Sequence, residues 1–235
     1  MATESPKLKL YTNHLCPWAH RAHIALSELN VPFEEEIIDL SVPRTPEYLK
    51  VNPRGLVPSL SYNGEIITES GIVASFLADL FPSTLVPKST DPNGALTRAR
   101  IAFFVDTYFS KAGGPFFKTQ SGKTEEERLA AADDYVNAVV KEVEPLLADA
   151  APFFGGSSKL TLAEVLTGSF ILRVYGLAKH GVISEKIPSD LAAKAPNFHK
   201  WAQEVMKHPS VTSIWNEEEV ATRTKQRYEK LRAQA

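Results

Sequence analysis

The chain changes character near residue 85, and that change constrains its fold more than any other feature. Before it, strand-like and helix-like segments alternate: 7–13 extended, 17–29 helical, 33–39 extended, 46–51 a short helix, 57–62 and 66–68 extended, 71–81 helical. Asn63-Gly64 lies between two apolar runs and is a strong hairpin signal, so the last two strands are expected to pair antiparallel. The result is a small α/β domain with a mixed four-stranded sheet. Leu85-Val-Pro-Lys-Ser-Thr-Asp-Pro-Asn-Gly94 carries the turn residues of a linker, with Asp91 ahead of Pro92 as a candidate helix cap. Beyond it every expected element is a helix: 95–111, about 125–148, 165–178, 196–207 and about 211–229. Two of these open on capping boxes, Thr124-Glu-Glu-Glu127 and Thr161-Leu-Ala-Glu164. Residues 165–178 are so apolar that their helix is expected at the centre of the second domain. The expected organisation is α/β for 1–84 and all-α for 92–235.

Composition narrows the partners. The 235 residues carry 26 lysines and arginines against 28 acidic residues, a net charge of -2, which gives no field for nucleic acid or an anionic membrane surface. A single cysteine excludes an intrachain disulfide and any multi-cysteine zinc site. The opening Met-Ala-Thr-Glu-Ser-Pro-Lys lacks the basic and apolar regions of a secretory signal, and no apolar run reaches membrane-spanning length, so a cytoplasmic location is expected.

That one cysteine, Cys16, sits in Leu10-Tyr-Thr-Asn-His-Leu-Cys-Pro-Trp-Ala-His-Arg-Ala22, where a strand ends and a helix begins. Pro17 suits the first helical position, and a thiol just before it faces unpaired N–H groups that favour a thiolate. A lone cysteine is also commonly a small buried hydrophobe, and the local pattern alone leaves both readings open.

The Cys-Pro-Trp-Ala turn, the run Pro46-Glu-Tyr-Leu-Lys-Val-Asn-Pro-Arg-Gly-Leu-Val-Pro58 and the pair Glu69-Ser70 together resemble the thioredoxin-like half of a cytosolic glutathione transferase of the cysteine type, as in the omega and lambda classes and their fungal relatives. Thr161–Glu164 and Trp201-Ala-Gln-Glu-Val-Met-Lys-His-Pro-Ser-Val211 resemble conserved helical segments of the second half, so the likeness covers nearly the whole chain. It implies glutathione as cosubstrate, with Cys16 as nucleophile beside Pro17. It further implies a cis Val57-Pro58 step presenting its backbone to the cysteinyl part, and Glu69 with Ser70 holding the γ-glutamyl end at a helix N-terminus. Where omega enzymes carry a lysine for the glycyl end, this chain has Thr45; Arg44 beside it is the substitute candidate, with Arg54 as another.

Ala19 stands where a two-cysteine enzyme has its resolving thiol, so free glutathione must complete each cycle. The resemblance thus implies thiol transfer or deglutathionylation through a mixed disulfide at Cys16, acting on glutathionylated or electrophilic small molecules. Conjugating, isomerising or carbon–sulfur bond-forming or bond-cleaving chemistry of secondary metabolism is one alternative, and a noncatalytic glutathione-binding or regulatory protein is another. A hydrophobic or aromatic acceptor is expected between the domains, against Trp18, Tyr108, Phe109, Phe117, Arg173 and Trp215, with Tyr108 turning its hydroxyl outward. Gly113-Gly-Pro-Phe-Phe-Lys118 is expected as a loop at the mouth of that cleft. His14, His20 and His23 are not assigned a metal, because no acidic residue or further cysteine completes a ligand set beside the single thiol. A homodimer is expected from the family.

Overall fold

The computed structural model describes residues 6–234. In β1 (Leu8–Thr12) residues 8, 10 and 12 are buried and the two between are half-buried, the period-two pattern of a strand with one face on a core. β1 pairs parallel with β2 (Glu34–Ile37) and antiparallel with β3 (Ser59–Tyr62), and β3 pairs antiparallel with β4 (Glu65–Thr68). The order is therefore β2-β1-β3-β4. Asn63 and Gly64 turn the β3–β4 hairpin with φ of +50° and +94°, which explains the residue types found there. α1 (Pro17–Glu28) and α3 (Ser70–Leu80) pack together, while α2 (Pro46–Val51) is capped by Thr45, whose hydroxyl accepts from the Tyr48 N–H. This is the thioredoxin-like arrangement expected. The Val57–Pro58 peptide is cis.

Helices fill the rest: α4 (Gly94–Thr107), α5 (Gly114–Ser121), α6 (Glu125–Ala138), α7 (Leu162–Lys179), α8 (Lys186–Lys194), α9 (Pro196–Lys207), α10 (Pro209–Thr212) and α11 (Glu217–Ala233). Only Tyr175 and Lys179 of α7 escape full burial, so the helix is central, as its composition implied. Gly168 lets α9 and α10 approach it: a Cβ there would stand 3.2–3.3 Å from Val211 and Val205. The main apolar core runs without a break from β1 through α1 and α3 into α4, α7 and α9.

Four expectations need correction. Gly113–Lys118 is not a loop: a π-helical turn over Tyr108–Gly113 leads directly into α5, and Pro115 falls in α5's first turn, where a missing N–H costs nothing. The single helix expected over 211–229 is two, because Asn216 accepts from the Glu219 N–H and starts α11 afresh after Trp215. The helix expected to 148 ends regular α-geometry at Ala138 and continues as a π turn and then 3₁₀. Asp91 does not cap α4; its carboxylate closes the preceding turn on the Lys88 N–H, and Asn93 precedes the helix instead. Helix α8 was not foreseen.

Candidate functional site

Cys16 is the residue before α1, half-buried, with extended backbone (φ -82°, ψ 119°). Its N–H donates to the Asn13 carbonyl at 3.0 Å, closing a tight turn. The Asn13 side chain braces that turn at both ends, accepting from the Leu15 N–H and donating to the Ile38 carbonyl. Ala19, Ile38, Tyr48 and Val57 form a small apolar cluster against which Cys16 packs. No side chain caps α1, so its first N–H groups remain free to face the sulfur.

The helical half grips the same turn. Ser169 Oγ donates to the Pro17 carbonyl at 2.8 Å and Arg173 Nη2 donates to the Leu15 carbonyl at 3.0 Å, so α7 holds the peptides on either side of Cys16. Arg173 also donates to the Ser169 carbonyl and lies over the Trp215 ring, 5.1 Å from its centroid. Burial lowers its pKa to about 10, and a Cys16 thiolate would oppose that shift. Arg173 is thus a buried cation behind Cys16, a positioning residue, not the open cleft wall expected.

Arg21 is the second buried cation. Its guanidinium donates to the Leu166 carbonyl at 2.7 Å and to Ser70 Oγ at 3.1 Å. It lies 4.5 Å from the Trp18 ring centroid and 4.4 Å from that of Phe109, and Nη2 has no partner among the described residues. Burial lowers its pKa to about 9, leaving it charged near neutral pH.

At the start of α3, Glu69 has φ +69° and ψ 116°, a backbone conformation costly for a side chain of its type and found where surrounding structure enforces it. Its carboxylate pairs with exposed Arg54, and Ser70 follows it, buried. Val57 is buried, yet its N–H and C=O have no hydrogen bond to another described residue. Val57 belongs to the apolar cluster against which Cys16 packs, so an unsatisfied strand-like donor and acceptor lie close to the thiol. Arg44 is committed elsewhere, donating to the Asp39, Val42 and Gly55 carbonyls, so it braces the loop before α2 instead of reaching for a ligand.

Three of the expected acceptor residues converge. Trp18, Phe109 and Phe117 are half-buried and surround Phe170, with Trp18 4.7 Å from the Phe170 centroid and 5.4 Å from that of Phe109. Tyr108 does not belong with them. It is 1 % exposed, its hydroxyl is 3.2 Å from that of Tyr135, and burial raises its pKa, because the π turn rotates it into the core. Trp215 lies apart, beside Arg173, on the rim of a cavity of about 600 Å³ between α7, α8 and α9. His14 turns its ring to Glu35 at 2.7 Å.

Arg173→Met, which keeps an apolar stem but removes the charge, is expected to slow Cys16 alkylation by anionic iodoacetate at least about fivefold more than alkylation by neutral iodoacetamide. An unchanged ratio would reduce Arg173 to a packing role.

Residues 15–80 match the family described as Glutathione S-transferase, N-terminal domain. The chain is 26 % identical over 211 residues to Glutathione transferase omega-1 of Caenorhabditis elegans, covering 88 % of this chain and 80 % of that one. Glutathione transferase Omega 1C from Trametes versicolor superposes with a TM-score of 0.81 at 26 % identity, over 95 % of this chain and 97 % of that one. Residues 15–80 are thus a glutathione S-transferase N-terminal domain, and the chain as a whole is similar in sequence and fold to cytosolic glutathione transferases. Its likeness is to the omega and lambda types, with a single cysteine at the α1 N-terminus. Rice GST1, solved in complex with glutathione, superposes with a TM-score of 0.82 at 25 % identity, over 97 % of this chain and 99 % of that one. Glutathione is the cosubstrate of the superfamily. No helix of the chain, among the described residues, is long and apolar enough to cross a membrane.

Proposed function

We propose that the protein is a glutathione-dependent thiol transferase that removes glutathione from small, largely apolar or aromatic molecules through a mixed disulfide at Cys16. The observation that carries this reading is the lone thiol on the Asn13–Cys16 turn, clamped on both sides by α7, with Arg173 behind it and no second cysteine in the chain. In the first step the Cys16 thiolate attacks the glutathionyl sulfur of the substrate. A protein–glutathione disulfide forms, and the substrate fragment leaves with the bonding pair and takes a proton from solvent. In the second step the thiolate of another glutathione attacks the mixed disulfide, giving oxidised glutathione and regenerating Cys16. The sum is one glutathionylated substrate plus one glutathione going to the reduced substrate plus oxidised glutathione.

Glutathione fits this site by its chemistry. Its cysteinyl peptide pairs with the free N–H and C=O of Val57, and its γ-glutamyl end lies over Glu69, Ser70 and the α3 N-terminus. Trp18, Phe109 and Phe117 form the apolar wall on the acceptor side. With Arg44 spent on carbonyls, the glycyl carboxylate is left to Arg54 or to water.

Intact-mass measurement after incubation with oxidised glutathione is expected to show one glutathionyl group on the wild type and none on Cys16→Ser. Absence of the adduct from the wild type, with conjugating activity kept in the variant, would replace this reading by simple stabilisation of a bound glutathione thiolate.

A further inference from the structure

Three donor side chains meet beside β1: His14 from the Asn13–Cys16 turn, His23 from α1 and Glu35 from β2. Their ligating atoms all lie within 4.8 Å of one another. One oxygen, Glu35 Oε1, is 2.7 Å from His14 Nε2 and 3.4 Å from His23 Nε2, so both imidazoles present a nitrogen close to the same carboxylate. We propose that His14, His23 and Glu35 form a binding site for a divalent transition metal of the zinc class, with the remaining coordination position open to water.

Two imidazoles and a carboxylate are a donor set that suits zinc, cobalt and nickel and is poor for calcium or magnesium. In a tetrahedral zinc site with bonds near 2.0–2.1 Å, donor atoms stand about 3.3 Å apart. The present separations bracket that value, so binding needs the His14–Glu35 contact to open by about 0.6 Å and the two rings to close together. His14 supplies the movement, since its side chain is 45 % exposed on a turn. His23 supplies the fixed half. It is buried, with its ring in edge contact with Phe33, and a metal at Nε2 would displace the hydrogen bond that this nitrogen shares with Thr12 Oγ1 at 2.8 Å.

A surface ion pair between His14 and Glu35 alone would contribute about 0–1 kcal/mol and would not need a second, buried imidazole on the same oxygen. The convergence of all three makes the set a chelate. His14 precedes Cys16 by two residues in one hydrogen-bonded turn, so a bound metal would tie that turn to β2.

The test is a titration of tag-free wild type and Cys16→Ser protein with Co²⁺, read by its visible absorption, followed by displacement with Zn²⁺. One equivalent is expected in both proteins, and His14→Ala and Glu35→Gln should each weaken binding about tenfold to a hundredfold. His180→Ala, which removes a comparable surface pairing to Glu217, should leave affinity unchanged. Absence of cobalt bands in the wild type, a spectrum lost in Cys16→Ser, or equal affinity in His14→Ala would each overturn the assignment.

Discussion

Cys16→Ser is expected to lower kcat/KM for glutathione-dependent reduction of a model mixed disulfide by about a thousandfold or more. Oxygen cannot replace sulfur in the covalent step, and nothing else can take over, because the chain has no other cysteine. The effect should be confined to chemistry. Serine is nearly isosteric, the site is half-buried, and the α1 N-terminus has no side-chain cap, so a serine hydroxyl there can accept a first-turn N–H. Thermal unfolding of the variant should stay within about 2 °C of wild type or rise slightly. Activity within tenfold of wild type would mean that Cys16 only polarises glutathione. A drop accompanied by a large loss of stability would point to a packing role instead.

The largest expected stability effect lies far from the thiol. Glu164, fully buried in the first turn of α7, accepts four hydrogen bonds. One carboxylate oxygen takes the Thr161 N–H and hydroxyl at 2.8 and 2.7 Å; the other takes the Phe154 N–H at 2.8 Å and the Trp201 indole N–H at 2.7 Å. It therefore joins the start of α7, the loop before it and α9 at a single point. Glu164→Ala would strand the Phe154, Thr161 and Trp201 N–H groups in the core and open a cavity, for a loss on the order of 3–5 kcal/mol. For a chain of this size that corresponds to a fall of about 10 °C or more in Tm. Glu164→Gln keeps one accepting oxygen and should fall between the two. Urea unfolding followed by Trp fluorescence measures both, and a loss below about 1 kcal/mol for the alanine variant would show that water or repacking replaces the carboxylate.

Features that depend on neighbours a few residues away could be read from the chain. Asn63-Gly64 needs only its own dihedral preferences to turn β3 into β4, Thr45-Pro46 carries its own helix start, and Thr161 with Glu164 forms a reciprocal cap spanning three residues. Cys16-Pro17 likewise marks a strand-to-helix junction whatever surrounds it. Local pattern failed where packing chose among conformations of similar energy: a π turn instead of a glycine loop at 113–118, and a new helix start at Asn216.

Only the tertiary structure decided what the polar side chains do. Sequence assigned Glu164 to a cap, whereas the fold adds Trp201, 37 residues away. Arg44 and Arg173 were candidate ligand contacts, yet backbone carbonyls, one of them 158 residues from Arg173, claim their guanidinium groups. Arg21 reaches Leu166 across 145 residues, and Glu35 reaches His14 across 21, which is why no metal set could be seen along the chain. The physical reason is one of range. Capping and turn preferences act within about four residues and are written in residue type, but a long polar side chain takes whichever unsatisfied group the packed core brings within about 3 Å.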